Sequence, residues 1–179
     1  MENSNKEELP IEQAGEELFN FAVDRKDLKT LLAHLPKEAE IERGKVEYEL
    51  GILRIISVGW SISYFLENSP HRNRLGELYW KAVRDFSLSL SSTAGVMTGQ
   101  EVNYFQILID RLDLYVEGLR QNPGAREPAA VMGPEFARIC GNADDVYTVM
   151  AGTKMFVAVV SSVKEYLEAI RLNLSQVNP

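Results

Sequence analysis

The stretch that decides the fold reads LGILRIISVGWSISYFL and covers residues 50–66. Drawn as a helix, this segment is apolar on most sides, and Arg54 is its only charged residue. A helix that is apolar nearly all round is normally a central, buried helix of a globular protein. We therefore predict a buried helix at about 39–67 and interpret the rest of the chain around it.

Helical spacing continues on both sides of this segment. Apolar residues recur at steps of three and four along 70–92, 98–120 and 142–174. Shorter helices are predicted to begin at Pro10 and to cover Asp27–Leu35 and Pro134–Cys140. Together these segments predict an all-α fold, a helical bundle of about four long helices plus two or three short ones, mostly antiparallel.

The length of the chain indicates one domain with an appended arm. Its 179 residues fall within the range of a single domain. We predict that residues 1–36, which end at Pro36, form an N-terminal helical arm. The arm is expected to pack on the main bundle, residues 37–179, or to exchange with the arm of a neighbouring subunit.

Two local motifs predict boundaries between helices. The sequence Thr98-Gly99-Gln100-Glu101 matches a capping box, in which the threonine hydroxyl accepts from the glutamate amide and the glutamate reaches back. It predicts a helix that begins at Thr98. Residues 123–134 contain three prolines and two glycines, a composition that predicts a loop.

Composition and charge argue against several classes of function. The net charge is −7, and 19 basic residues are scattered among 26 acidic ones, whereas nucleic-acid binding needs clustered Lys and Arg. The longest uncharged runs, 55–66 and 86–100, are shorter than the ~18 residues of a membrane span. Cys140 is the only cysteine, so we expect a reducing, cytoplasmic location. We predict no nucleic-acid partner and no membrane partner.

Metal-binding and catalytic motifs are also missing from the sequence. A zinc site needs about four nitrogen or sulfur ligands, whereas this chain has one cysteine and two histidines, His34 and His71. Cys140 lies in an apolar segment and is interpreted as a buried structural residue. Neither glycine-rich phosphate-binding pattern occurs. We predict no metal and no cofactor, and we assign no catalytic residue.

A polar stripe interrupts the apolar helix. Its members follow one another at steps of three and four and therefore share one face: Arg54, Ser57, Ser61 and Tyr64. If this face is buried, Arg54 must be paired, because an isolated buried charge is prohibitive. It could then anchor an anionic or amphipathic ligand that the hydroxyls orient. A solvent-facing strip or an internal salt bridge is the alternative.

Two later helices carry apolar residues away from their main apolar faces. These are Trp80 and Leu88 on one helix and Ile107 and Leu114 on the next. A second apolar stripe indicates burial on two sides, either by another helix of the chain or by another subunit. The second alternative predicts a homodimer that uses these four residues.

No single feature of the sequence selects a function. The leading hypothesis is a non-enzymatic helical interaction or regulatory protein, adaptor-like or chaperone-like, whose partner is another protein or a second copy. The first alternative is a small-ligand sensor with a bundle pocket near Arg54 and Tyr64. The second is an enzyme with a carboxylate-based site. A cavity with convergent polar groups would favour the sensor, and a flat exposed apolar patch would favour the interaction protein.

Overall fold

The computed structural model describes residues 7–33 and 42–173. In chain order the elements are β1 (Glu7–Pro10), α1 (Ile11–Val23), α2 (Lys26–Ala33), α3 (Arg43–Phe65), α4 (Arg72–Thr98), α5 (Tyr104–Gln121), α6 (Ala129–Cys140), α7 (Val146–Ala169) and β2 (Ile170–Asn173). The predicted all-α bundle is confirmed, with α3, α4, α5 and α7 as its long helices.

Helix α3 is the central element, as its apolar sequence predicts. It packs against α7, α4, α1 and α6. Its side chains Val46, Leu50, Leu53 and Ile56 are almost completely buried. Full burial of one such side chain contributes about 1.5–3 kcal/mol, so this one helix supplies a large part of the core.

The described part of the N-terminal arm packs on the bundle. Helix α1 contacts α4 and α3, and α2 contacts α3. Gly15 allows the close approach of α1 to α4, because a Cβ at this position would lie 3.1 Å from the Cβ of Leu78. Leu18 and Leu28 are buried in the common core. The last residues of the predicted arm, 34–36, lie outside the described residues.

The two ends of the described chain meet in a short parallel strand pair. Strand β1 pairs with β2 in a register that runs from Glu7↔Ile170 to Pro10↔Asn173. The prediction that the last helix continues past Ile170 is therefore wrong, and Leu174 lies outside the described residues. Apolar and polar residues alternate along β2, which suits a strand. Local periodicity does not reveal this pairing because the partner strand lies at the other end of the chain.

The capping box predicted at Thr98 is wrong. Helix α4 continues through Thr98 and ends at Gly99, whose φ of 69° is the left-handed conformation that glycine adopts without steric cost. The Thr98 hydroxyl donates to the carbonyl oxygen of Ala94 at 2.8 Å, within α4. Helix α5 instead begins after Asn103, whose side-chain oxygen accepts from the amide of Gln106 at 3.0 Å.

Removing the observed N-cap of α5 is expected to weaken the fold. Asn103→Ala deletes the acceptor for the Gln106 amide and should lower the free energy of unfolding by about 1 kcal/mol. Asn103→Asp is the control, because aspartate keeps a side-chain oxygen that can accept the Gln106 amide. Urea denaturation compares the two variants. An equal loss for Asn103→Asp and Asn103→Ala would contradict the assignment of Asn103 as the cap.

The prediction of a loop at 123–134 is also wrong for the second half of that range. Helix α6 begins at Ala129 and contains Pro134 in its interior. Met132 is buried, and Gly133 lies directly against Thr153 of α7. Burial against α7 stabilises this turn, so tertiary packing overrides the local preference of proline and glycine for a loop.

Helix α7 packs against α6 and α3. It begins after Asp145, whose carboxylate accepts the Thr148 amide at 2.7 Å, and not at residue 142, where the sequence predicts its start. By length and composition it could cross a membrane, with a mean hydropathy of 1.5 over 18 residues, of which 39% are buried in the bundle. Core helices of soluble proteins meet the same criterion. The absence of a membrane partner therefore stays a prediction.

Candidate functional site

An apolar pocket of about 240 Å³ opens between the first five helices, and we call it the bundle pocket. It is lined by Ala22, Val23, Arg25, Leu28, Glu47, Tyr48, Gly51, Ile52, Ile55, Phe86, Ser87, Leu90, Tyr104 and Leu108. Most of these side chains are aliphatic or aromatic, and only a few are polar. This composition is typical of sites that bind small molecules.

The missing side chain of Gly51 creates part of this space. Gly51 lies on the pocket side of α3, and a Cβ at this position would meet no other atom within 4 Å. Gly59 on the same helix differs, because a Cβ there would collide with the ring of Trp80. Glycine inside a helix is less favourable than alanine by about 0.5–1 kcal/mol. The helix therefore keeps a glycine where alanine would fit and would be more favourable.

One ion pair and two tyrosines lie among the polar groups of the pocket. The Nη2 atom of Arg25 lies 2.6 Å from the Oε1 atom of Glu47. This ion pair joins the turn before α2 to α3. These side chains are 65% and 33% exposed, so the pair adds little to stability. The rings of Tyr48 and Tyr104 have centroids 6.5 Å apart. The apolar pocket therefore offers a charged donor and a charged acceptor at its solvent-exposed side.

Two hydroxyl groups of the pocket, those of Tyr48 and Ser87, are held in their neutral form or bonded to the backbone. Burial, together with the nearby Glu49 carboxylate, raises the pKa of Tyr48, so its phenol stays protonated at neutral pH. The buried Ser87 hydroxyl donates to the carbonyl oxygen of Val83 at 2.8 Å. Within the described ranges, no imidazole or carboxylate hydrogen-bonds to either hydroxyl, so neither is activated as a nucleophile.

An ion pair between the buried Glu49 and Arg111, whose side chain is 27% exposed, supports the pocket wall next to Tyr48. Glu49 is 2% exposed and accepts from Arg111, at 2.9 Å from Nε to Oε2 and at 2.8 Å from Nη2 to Oε1. The geometry is bidentate, and the hydrogen bonds to Glu49 raise the pKa of Arg111. The pair joins α3 to α5, which both contribute to the pocket. Periodicity gives no sign of it, because many charged residues occur on both helices.

Tyr115 and Cys140 form a second buried polar region near this pair. In the described part of the chain, the Tyr115 hydroxyl is the one buried side-chain polar atom without a hydrogen-bond partner. Burial raises the pKa of Tyr115, so it remains a neutral phenol. Burial also raises the pKa of the Cys140 thiol to about 12. Cys140 is therefore a thiol at neutral pH and lacks the thiolate that nucleophilic chemistry requires.

The polar stripe, for which the sequence leaves open a ligand-binding face, a solvent-facing strip or an internal salt bridge, lies largely in the core. Arg54 is 1% exposed. Its Nε donates to the carbonyl oxygen of Phe21 at 2.9 Å, and its guanidinium carbon lies 4.4 Å from the centre of the Phe21 ring. The hydroxyls of Ser57 and Ser61 each donate to a carbonyl oxygen one turn earlier in α3, at 2.7 Å. Arg54 therefore holds α3 to α1, and the serines bond within α3.

Tyr64, at the end of the stripe, is separated from Arg54. It is 58% exposed and stacks on Trp60, with ring centroids 4.7 Å apart. A cavity of about 90 Å³ lies beside Arg54 and is not lined by the three hydroxyl residues of the stripe. The structure therefore does not gather the stripe around one cavity, and the larger bundle pocket lies on another face of α3.

The four residues predicted to form a subunit interface lie in different surroundings. Trp80 packs against Gly59 of α3, within the same chain. Ile107 packs against the core, and Leu114 is half-buried. Leu88 is 50% exposed. Of the four, Leu88 alone belongs to an exposed surface.

Metal ligands do not cluster in the ranges 7–33 and 42–173, where no group of three or more His, Cys, Asp or Glu residues could hold an ion. His71 lies at the start of α4, and His34 lies outside these ranges. The absence of a metal and of a cofactor stays a prediction for the whole chain.

Comparisons with known proteins leave the function to be argued from this geometry. No protein family, no curated protein and no solved structure matches the chain. The bundle pocket and the exposed surfaces are therefore the observations from which a function can be inferred.

Proposed function

We propose that this protein is a non-enzymatic binding protein that takes a small apolar or amphipathic ligand in the bundle pocket. The observation that supports this most directly is the open space at Gly51, in the middle of the central helix. The proposal is of the sensor class, with a site at Gly51 and Tyr48 instead of Arg54 and Tyr64.

The volume of the pocket indicates the size of the ligand. A dry cavity of about 150 Å³ accepts benzene, whereas drug-sized ligands occupy about 300–1,000 Å³. At about 240 Å³ the bundle pocket suits a single ring or a short alkyl chain. Each methylene that leaves water contributes about 0.8 kcal/mol to binding. A polar group on the ligand would lie beside Arg25 and Glu47.

Filling the pocket from Gly51 tests this proposal. Indole and 1-octanol serve as probes, and amide chemical shifts are followed by NMR during titration of the full chain. We expect saturable shifts at Gly51 and Tyr104 in the unmodified protein. Gly51→Phe should abolish them, because the new ring occupies the space that the ligand would take.

Gly76→Phe is the matched control for this experiment. Gly76 also lies within a helix, and a Cβ there would likewise meet no atom within 4 Å, but it does not line the bundle pocket. Binding should survive in this variant. Shifts that persist in Gly51→Phe, or the absence of saturable shifts with both probes, would contradict the proposal.

The stability of Gly51→Ala gives an independent measurement. The substitution is expected to raise the free energy of unfolding by about 0.4–1 kcal/mol, because alanine suits a helix better and meets no neighbouring atom. Thermal unfolding monitored by circular dichroism measures this change. A destabilised Gly51→Ala would show that the space at Gly51 is already occupied by neighbouring side chains.

A helical interaction or regulatory protein, adaptor-like or chaperone-like, is the second candidate function. It is supported by the C-terminal half of α4, where Val96 is 87% and Met97 is 80% exposed. The two candidates are compatible, because Leu90 of the same helix lines the bundle pocket. A cytoplasmic location, expected from the single cysteine, belongs to this proposal. The enzyme with a carboxylate-based site stays an alternative, and the one carboxylate among the described residues that line the bundle pocket, Glu47, is paired with Arg25.

A further inference from the structure

We infer that the ligand of the bundle pocket is an arylalkyl amine. Its aromatic ring fills the space at Gly51, and a protonated amine on a two-carbon chain binds the carboxylate of Glu47. The inference rests on the proposed function, because it names the chemical class of the ligand that this pocket takes. It is drawn from the position of Glu47 relative to Gly51, from the exposure of the two charged groups of the pocket, and from the aromatic rings in its lining.

Glu47 and Gly51 lie about one turn apart on the same face of α3. Both line the bundle pocket, and residues four apart in a helix are neighbours on its surface. At about 1.5 Å per residue, four residues span about 6 Å along the helix axis. A ring in the open space at Gly51 therefore has Glu47 one turn away, a separation that a chain of two carbons and a nitrogen can span.

The ion pair with Arg25 leaves part of the Glu47 carboxylate available. The contact joins one nitrogen to one oxygen, since Nη2 of Arg25 lies 2.6 Å from Oε1 of Glu47. In the ranges 7–33 and 42–173, no donor forms a hydrogen bond to Oε2 of Glu47. An ionised carboxylate has about four acceptor sites, so an ammonium group can bind at Oε2 while the contact at Oε1 stays in place. The ligand therefore binds without displacing Arg25.

The exposure of the two charged groups favours a cationic head group over an anionic one. Among the described residues that line the pocket, Arg25 and Glu47 are the charged ones. The Arg25 side chain is 65% exposed and starts from the turn before α2, whereas that of Glu47 is 33% exposed and starts from the central helix. Water screens the more exposed charge more strongly. A charged head group therefore gains more from Glu47, and the partner of a carboxylate is a cation.

The aromatic rings of the pocket and the net charge of the chain also favour a cation. Tyr48 and Tyr104 line the pocket, with ring centroids 6.5 Å apart. The face of a tyrosine ring attracts an ammonium group, and it does not attract a carboxylate. The net charge of −7 attracts cations to the protein and repels anions. An alkyl amine is protonated at neutral pH, like the side chain of lysine, so it carries the charge that these features favour.

Three probes with the same ring and the same two-carbon chain separate the possible head groups. Phenethylamine carries an ammonium group, 2-phenylethanol a neutral hydroxyl and 3-phenylpropionate a carboxylate. Their dissociation constants for the full chain are measured by NMR titration, from the amide shifts of Gly51 and Tyr104. We expect phenethylamine to bind about tenfold more tightly than 2-phenylethanol, which is the effect of one hydrogen bond between charged groups. We expect 3-phenylpropionate to bind more weakly than phenethylamine.

Glu47→Gln tests whether this carboxylate is the partner of the amine. Glutamine keeps the size of the side chain and removes its charge, so the preference for phenethylamine over 2-phenylethanol should be lost. Glu77→Gln is the matched control, because it removes the same charge from a side chain that is 72% exposed on α4 and does not line the pocket. The preference should survive in this variant. Circular dichroism verifies that both variants fold.

The outcomes distinguish this inference from the proposed function on which it rests. Saturable binding of 2-phenylethanol without a preference for phenethylamine would overturn the amine and leave the pocket as a binding site. Tighter binding of 3-phenylpropionate, or a preference that persists in Glu47→Gln, would do the same. If none of the three probes causes saturable shifts at Gly51 and Tyr104, the inference and the proposed function are both wrong.

Discussion

Arg111→Met is expected to lower the free energy of unfolding by about 3–5 kcal/mol. Methionine keeps much of the apolar length of the arginine side chain. It nevertheless removes both charged donors from Glu49, which is 2% exposed. A carboxylate left without its partner in the core costs more than the intact pair contributes. Urea denaturation followed by circular dichroism measures the loss, provided that the slope of the transition is unchanged.

Two comparisons separate this effect from a general loss of packing. The double variant Glu49→Leu with Arg111→Met should recover most of the stability, because apolar side chains can replace a buried ion pair. Arg25→Met breaks the exposed pair with Glu47 and should cost less than about 1 kcal/mol. A loss for Arg111→Met no greater than that for Arg25→Met would contradict the structural role of the buried pair.

Phe136→Ala is expected to lower the free energy of unfolding by about 3–5 kcal/mol. Phe136 is fully buried on α6 and fills the space in front of Gly152 on α7. A Cβ on Gly152 would lie 2.6 Å from the Cδ1 atom of the Phe136 ring. Removing the ring therefore leaves a cavity in the contact between α6 and α7, the most extensive helix contact of the described chain.

A double-mutant cycle tests whether Phe136 and Gly152 are complementary. Gly152→Leu alone should destabilise the protein by about 1–3 kcal/mol, because the new side chain collides with the ring. In a Phe136→Ala background the two ring contacts are removed and only the Cβ of residue 136, at 2.7 Å from the added Cβ, still obstructs the leucine, so the combined loss should be smaller than the sum of the two. Additive losses in thermal or urea unfolding would show that the two positions do not contact each other.

Local periodicity is enough to identify the helices of this bundle and to place α3 at its centre. The apolar residues of 50–66 surround the whole helix, so burial on all sides is the only favourable environment for it. The same reasoning correctly predicts long helices in the regions of α4, α5 and α7. A helix is stabilised within one segment of chain, and for this reason its pattern is visible without knowledge of its neighbours.

The errors occur where a backbone conformation or a tertiary contact competes with the preference that the local sequence indicates. Thr98 matches a helix start, but the neighbouring Gly99 ends α4 in a left-handed conformation. Pro134 suggests a helix start, but packing on α7 extends α6 on both sides of it. Ile170 continues a helical spacing, but its backbone pairs with β1. In each case the local pattern does not contain the feature that decides the structure, which is a backbone conformation at Gly99 and a tertiary contact at Pro134 and Ile170.

The candidate site depends almost entirely on tertiary structure. Gly51 is visible in the sequence as a glycine in an apolar helix, but its missing side chain becomes a pocket only when the other helices surround it. The pairing of Glu49 with Arg111 likewise requires α3 and α5 to lie side by side. Periodicity assigns a residue to a face of its own helix, whereas a cavity or a buried ion pair depends on which faces meet. The arrangement of the helices, and not their individual patterns, therefore decides where this protein can bind a ligand.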